Sequence, residues 1–395
     1  MDRALVARGP SQARTALAAL CVTQVTSWGV LFYAFTVLLP RIEEDPDWTA
    51  SQAAACFSGA LLISAVVGIR VGKIIDRQGP RVVMTAGSVV AVVATLAIAG
   101  APNLPAFAAA WALAGFAMAA TFYLPAFASL IRWYGERRVW ALTTLTLAGG
   151  LSSLIFAPLS AVFADAWGWR GAYVALAIVL AVVTIPLHWF ALAAPWPETP
   201  APAPSDPPAP PLPVVTFVVL AAALTLSALG VHGVLVAVVP LLEERGMDPT
   251  TAAWALGLGG LGQTLGRLLY GTLSRRVGVT SRTVTLIGAG GITTLLLGVV
   301  TGPAALLIVL SMLAGMVRGN LTLLQATAVP DRWGQANYGH RSAVLSAPVM
   351  VATALAPFLV TFAAARFGGY PEVFLLLAAV SGVATALALA TGPRR

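Results

Sequence analysis

Gly72-Lys-Ile-Ile-Asp76-Arg77-Gln-Gly79-Pro80-Arg81 returns 199 residues later (271 against 72) as Gly271-Thr-Leu-Ser-Arg275-Arg276-Val-Gly278. Both copies stand between long apolar blocks. The register holds elsewhere: Ala157-Pro158 returns as Ala356-Pro357, again 199 residues on, and Arg132-Trp133 as Arg332-Trp333 at 200. One register at three separated places marks two similar halves. A parallel duplication of this kind predicts two bundles related by an axis along the membrane normal, with a substrate site between them.

The composition agrees. Of 395 residues, 58% are hydrophobic and 10% charged, against about 25% charged in a soluble domain. Stretches 17–39 and 214–240 contain no Asp, Glu, Lys or Arg. Each exceeds the roughly 20 residues that cross a bilayer core. In hydrocarbon the backbone must satisfy its own hydrogen bonds, so such blocks are helices. Spans are predicted near 15–39, 51–70, 81–100, 104–130, 139–164 and 171–194, then 214–240, 250–274, 283–301, 303–329, 341–365 and 372–391. The predicted fold is an all-α integral membrane protein with twelve transmembrane helices in two six-helix bundles, 1–194 and 214–395. Residues 195–213 are too rich in proline for helix or sheet and read as an extended, solvated linker. Residues 1–13 lead into a full-length span without the pattern of a cleavable signal.

Charge sets the orientation. With the N-terminus inside, inner segments hold 17 Lys and Arg residues and outer loops four: Arg41, Arg170, Arg245 and Arg366. Both termini and the linker are therefore expected in the cytoplasm, in a plasma or inner cell membrane. This topology accounts for the net charge of +8, which is no footprint of nucleic acid. Cys21 and Cys56 lack the spacing of a disulfide framework or metal site, and no nucleotide loop or catalytic triad is visible. The chain reads as a non-enzyme with no cofactor. Its Ala, Gly and Arg richness, with Lys73 the one lysine, is that of a bacterial chain from a GC-rich genome.

The stretch Gly72–Arg81, in the loop after the second span, resembles the loop signature of the major facilitator superfamily. In that reading Gly72 and Gly79 let the helix approach its neighbour and turn, with Arg77 and Arg81 flanking. Asp76 accepts from a helix N-terminus or an Arg, locking the inward-closed face. The second copy puts Arg275 where the first has Asp76, so its latch is weaker or differently paired. A narrower resemblance is to the monocarboxylate transporter and oxalate/formate exchanger branch. Thr26-Ser27-Trp28-Gly29 is similar to that branch's first signature without its leading Asp. Trp133-Tyr134-Gly135-Glu136-Arg137-Arg138, followed by Ala148-Gly149-Gly150, resembles its second. Gln263-Thr-Leu-Gly-Arg267 keeps the branch's substrate-binding Arg but has Gln where the family has an acid.

Only two ionisable residues other than His lie well within the predicted spans, Arg267 and Arg318. An Arg at membrane depth costs at least about 2.5–3.5 kcal/mol on insertion scales, so it faces a cavity or a partner. No Asp or Glu lies at that depth, and a guanidinium fork fits a carboxylate in two hydrogen bonds. An anionic substrate is the partner this predicts, with the lipid bilayer as surroundings. Two readings of Arg267 stand: a substrate grip, or snorkelling toward Arg275. Arg318, flanked by Gly315, Gly319 and Asn320, reads either as added positive potential in the cavity or as a structural group bonded to carbonyls. His232 is a proton or substrate group, or a satisfied structural histidine. Tyr33 and Tyr123 match cavity aromatics of the branch by resemblance, or are packing and interface aromatics; Gln24, Trp28 and Gln263 are weaker candidates of the same kind. Gly257-Leu-Gly-Gly-Leu-Gly262 lies inside a span and reads as close helix packing. The expected function is a secondary or facilitative transporter of small, monocarboxylate-like organic anions working by alternating access. The alternative is a drug or metabolite exporter, since Ala148-Gly149-Gly150…Ala157-Pro158 is similar to the Gly-Pro motif of exporters. A sensor or scaffold would need a signalling domain the sequence does not display.

Overall fold

The computed structural model describes residues 9–43, 49–196 and 213–391. Among them there is helix, turn and no strand. Chain entry is set by local caps. Thr49 and Gln52 bond each other's backbone N–H reciprocally, Asn103 accepts from Ala106 N at 3.0 Å, and Asp248 accepts from Thr251 N at 3.0 Å. Such caps satisfy N–H groups that a helix end leaves open.

Helix α1 (Gly9–Trp28) passes through a π-helical turn, Gly29–Tyr33, into α2 (Ala34–Glu43). Then come α3 (Ala50–Gln78), α4 (Pro80–Ala99), α5 (Leu104–Thr121), α6 (Tyr123–Tyr134), α7 (Arg138–Gly149) and α8 (Ser152–Pro186). The second set is α9 (Val214–Glu244), α10 (Pro249–Arg276), α11 (Val279–Val299), α12 (Ala304–Ala328), α13 (Pro330–Trp333), α14 (Tyr338–Phe367) and α15 (Tyr370–Leu389). Helix α8 is bent at Gly168, whose φ of 69° and ψ of 174° no helix contains. With that bend, and with α1–α2, α5–α6, α7 with the first part of α8, and α12–α13 each forming one path, the described residues trace twelve helical runs. Nine stretches are long and apolar enough to cross a membrane by length and composition. One of them, Leu104–Ala191, has 88 residues. Straight, it would reach ~130 Å at 1.5 Å per residue, so the breaks at Gly135 and Gly168 are what fold it into three runs. Helix α10 is not among the nine. Its glycines, Gln263 and Arg267 make it the helix least suited to lipid.

The contacts divide the chain into two compact units. One is Met1–Pro200 with Gln335–Val344; the other is Ala201–Gly334 with Leu345–Arg395. The expected boundaries at 194 and 214 fall at the edge of a segment, 197–212, that lies outside the described residues. So do Arg3, Arg8, Arg394 and Arg395 of the orientation count. The first unit is centred on aromatic rings: Phe35 stacks on Phe57 at 4.4 Å, and both meet Trp111 edge-on. The outward faces are apolar too, with Val66 and Leu154 about 70% exposed (68% and 72%). In water that pattern would be a liability; in a bilayer it is the solvated face.

Candidate functional site

In the second unit the candidate residues are placed by a seam between α10 and α12. A β-carbon on Gly315 would lie 1.9 Å from Gly259 O, and one on Gly319 would lie 2.1 Å from Gln263 O. On the facing helix, Gly262 and Gly266 press as closely on Met312 O and Met316 O, at 2.2 and 2.1 Å. The backbones touch, which only glycine permits; small-residue seams of this kind hold membrane helices together. Of the glycine-rich stretch read as close packing, Gly259 and Gly262 make the contact, whereas Gly257 and Gly260 face open space.

The seam brings two candidates into contact. Arg318 donates through Nη2 to Gln263 Oε1 at 3.2 Å. Arg267 lies one turn further along α10, about 6 Å of axial rise, and is only 7% exposed. Asn320 is also buried; its Nδ2 donates to Met316 O at 2.9 Å, and its Oδ1 has no hydrogen-bond partner among the described residues. Between α9, α10, α11 and α12 lies a cavity of about 30 Å³, lined by Gly259, Thr293, Thr294, Ser311, Gly315 and Arg318 among others. That is room for one or two waters. The hydroxyls of Thr293, Thr294 and Ser311 donate to carbonyls of their own helices. They therefore offer lone pairs to water.

His232, in the same unit, is held at Nδ1. That nitrogen lies 2.9 Å from Ala228 O and 3.4 Å from Thr353 Oγ1. A carbonyl only accepts, so Nδ1 carries the proton and Nε2 is the nitrogen left for exchange. Thr353 had no signal in the sequence; it is one of many threonines on apolar helices.

In the first unit, Trp28 stacks on Phe122 at 4.1 Å and 13° and tilts against Tyr123 at 5.1 Å. Its indole N–H donates to Gln24 Oε1 at 3.2 Å, and Gln24 Nε2 donates to Thr121 O at 2.6 Å. Gln24 thus joins α1 to the end of α5, where Phe122 breaks the helix. Tyr33 meets Phe32 edge-on at 5.3 Å, and Phe32 in turn lies 5.4 Å from Trp28. One half-buried aromatic group therefore contains Trp28, Tyr33 and Tyr123. Two glycines make room for it. A β-carbon on Gly149 would strike the Tyr123 hydroxyl at 2.2 Å, and one on Gly29 would strike the Phe156 ring at 2.2 Å. The second signature of the sequence contains Gly149; Phe122 and Phe156 carried no sequence signal.

The last turn of α3 is bonded to the first turn of α14. Asp76 accepts from Gly339 N and His340 N, each at 2.8 Å, one bond to each carboxylate oxygen. These N–H groups open α14, where the helix dipole favours an anion. Gly79, at φ 78°, makes the turn into α4. Arg81 donates to Trp189 O at 2.8 Å and lies over its ring at 4.3 Å, and Arg77 is exposed. In the second copy Gly271 has open space around it and Arg275 is exposed. The buried pairing there is different: Arg282 bonds Asp331, and Arg332 donates to Thr283 at 2.8 Å. Among the described residues no group of His, Cys, Asp and Glu is placed to hold a metal.

These helices carry guanidinium groups, amides, hydroxyls and aromatic faces. Against this geometry the family model of the Major Facilitator Superfamily matches residues 20–224 and 218–395. The chain is 28% identical over 324 residues to monocarboxylate transporter 13 of Rattus norvegicus, covering 80% of this chain and 72% of that protein. It is 28% identical to monocarboxylate transporter 11 of Homo sapiens over 63% of this chain and 52% of that one. Among solved structures it resembles the E. coli fucose:proton symporter FucP with a TM-score of 0.69 at 13% identity, across 96% of this chain and 98% of the other.

Proposed function

Because the chain belongs to the major facilitator superfamily, and so is a membrane transporter and not an enzyme, we propose that its cargo is a small organic anion of the monocarboxylate kind. The observation that carries this is the pairing on the α10–α12 seam. Arg318 is oriented by a neutral amide, Gln263, with Arg267 one turn away on the same helix. A carboxylate is the planar, oppositely charged ligand that a guanidinium binds in two hydrogen bonds. The names of the curated relatives support the same class.

In this proposal Arg267 grips the carboxylate in a fork, and Arg318 adds positive potential. Tyr33, Tyr123 and Trp28 pack on the organic part, with Asn320 and His232 as further polar contacts. Transport runs by alternating access, with rupture of the Asp76 latch as part of the cycle. The termini and the 195–213 linker lie on the cytoplasmic side. A cationic drug would meet two guanidinium groups and no acid, which favours the anion reading over the exporter one. The test is thermal stabilisation of purified protein by acetate, lactate, pyruvate and oxalate, with tetraphenylphosphonium as the cationic control. Stabilisation by a carboxylate, lost in Arg267→Lys, is expected. Stabilisation by the cation alone overturns the reading.

A further inference from the structure

Gln263 entered as a weak substrate contact, and the structure gives it another task. The backbones of Gln263 and Gly319 touch: a β-carbon on Gly319 would lie 2.1 Å from Gln263 O. Arg318 is the residue next to Gly319, so side chains 263 and 318 leave from adjoining points of two helices in contact. The seam of Gly259, Gly262, Gly266, Gly315 and Gly319 fixes that register. A slip of one turn would carry Arg318 away from Gln263. The hydrogen bond of 3.2 Å is thus set by the packing of the unit and needs no ligand to form.

We infer that Gln263 is a positioning residue: its amide oxygen aims the Arg318 guanidinium, and its neutrality leaves that cation's charge to the transported anion. The inference rests on the anion reading above. A carboxylate at position 263 would accept from the same guanidinium and cancel its charge. An amide accepts one bond and cancels nothing. At membrane depth, where charges are poorly screened, this difference decides how strongly the site draws an anion. Residue 263 therefore acts on affinity through Arg318, without touching the substrate.

The experiment is a double-mutant cycle on binding of the most stabilising carboxylate of the panel, with Gln263→Met, Gln263→Glu and Arg318→Met. Gln263→Met is expected to weaken binding roughly tenfold, the scale of one hydrogen bond to a charged group, and to change nothing on the Arg318→Met background. Gln263→Glu keeps shape and acceptor and is expected to weaken binding at least as much, a result that a merely structural role would not give. Equal losses from Gln263→Met on both backgrounds, or wild-type affinity in Gln263→Glu, overturn the inference. A second readout needs no substrate: phenylglyoxal modification of Arg318, followed by peptide mass spectrometry, is expected to rise in Gln263→Met with Gln263→Asn intermediate. Unchanged reactivity overturns the aiming role even if no carboxylate binds. Failure of the whole panel on wild type, with reactivity raised, overturns the anion reading alone.

Discussion

Gly72 and Gly339 meet backbone to backbone: a β-carbon on Gly72 would lie 2.2 Å from the Gly339 carbonyl oxygen. That approach is what lets the Asp76 carboxylate reach the Gly339 and His340 N–H groups at 2.8 Å. Gly72→Ala forces the segments apart. Asp76→Asn keeps the shape but loses the charge and turns one acceptor into a donor facing an N–H. Two charge-assisted bonds at a helix N-terminus are worth about 2–3 kcal/mol together. Both variants are expected to insert normally and to lose at least roughly tenfold in transport rate, since 1.4 kcal/mol is a factor of ten. Wild-type uptake by Asp76→Asn shows that the latch is idle.

The seam gives a prediction with its own control. Gly319→Ala and Gly315→Ala drive a methyl into backbone that cannot rotate away. Overpacking of this kind costs about 1–3 kcal/mol or more, read as a fall of several degrees in melting temperature. Gly257 and Gly260 sit on the facing helix, α10, with open space around them. Gly257→Ala and Gly260→Ala are expected to be neutral or slightly stabilising, because Ala is the better helix former. Equal destabilisation by all four would mean that the seam is not what the methyl meets.

Much of this was legible before the structure. Twelve apolar blocks, the repeat and the loop signature each follow from physics that acts on short stretches: span length, backbone satisfaction and glycine at a close approach. That the second copy pairs differently was also legible, because Arg275 stands where Asp76 does. The pairing that replaces it was not, since Arg282 and Asp331 are 49 residues apart and nothing local links them. The same holds at the candidate site. Arg267 and Arg318 announced themselves by the cost of a charge in a span, but the Gln263–Arg318 bond depends on helix register. Likewise Tyr123 was visible as an aromatic, whereas its fit against Gly149 and Trp28 arises only from packing.

Arg267→Lys tests the proposed grip on the substrate. Lys keeps the charge but replaces a planar fork with a point charge, and its stem is at home on a helix. Transport is expected to vanish while melting temperature shifts little. Arg267→Ala is expected to do the same, with a larger loss of stability from the vacated space at a buried position. Wild-type affinity and uptake in Arg267→Lys would show that the fork is unused.

Orientation is testable at the linker. The excess of 17 inner over four outer basic residues predicts that residues 195–213 lie in the cytoplasm. With Cys21 and Cys56 replaced by Ser, Ser205→Cys is expected to resist an impermeant maleimide in intact cells and to react after permeabilisation. Labelling from outside intact cells reverses the proposed topology.

Coupling is the last consequence. A proton-coupled carrier needs a group at membrane depth that gains and loses a proton. The position where the related branch has an acid is Gln263, which does not titrate and is engaged with Arg318. The sequence supplies no other Asp or Glu at that depth. His232 is the titratable side chain left near this cluster, and its geometry suits the task in one respect: with Nδ1–H committed to Ala228 O, Nε2 alone takes up the proton. A carboxylate substrate bound beside two guanidinium groups is a poor proton carrier at neutral pH, because neighbouring positive charge favours its ionised form. The expected outcome in proteoliposomes is anion exchange or uniport that is indifferent to an inward proton gradient, or an acceleration by that gradient that disappears in His232→Gln. Strong acceleration that survives His232→Gln defeats the prediction and places the proton on a group outside the Gln263–Arg318–His232 cluster.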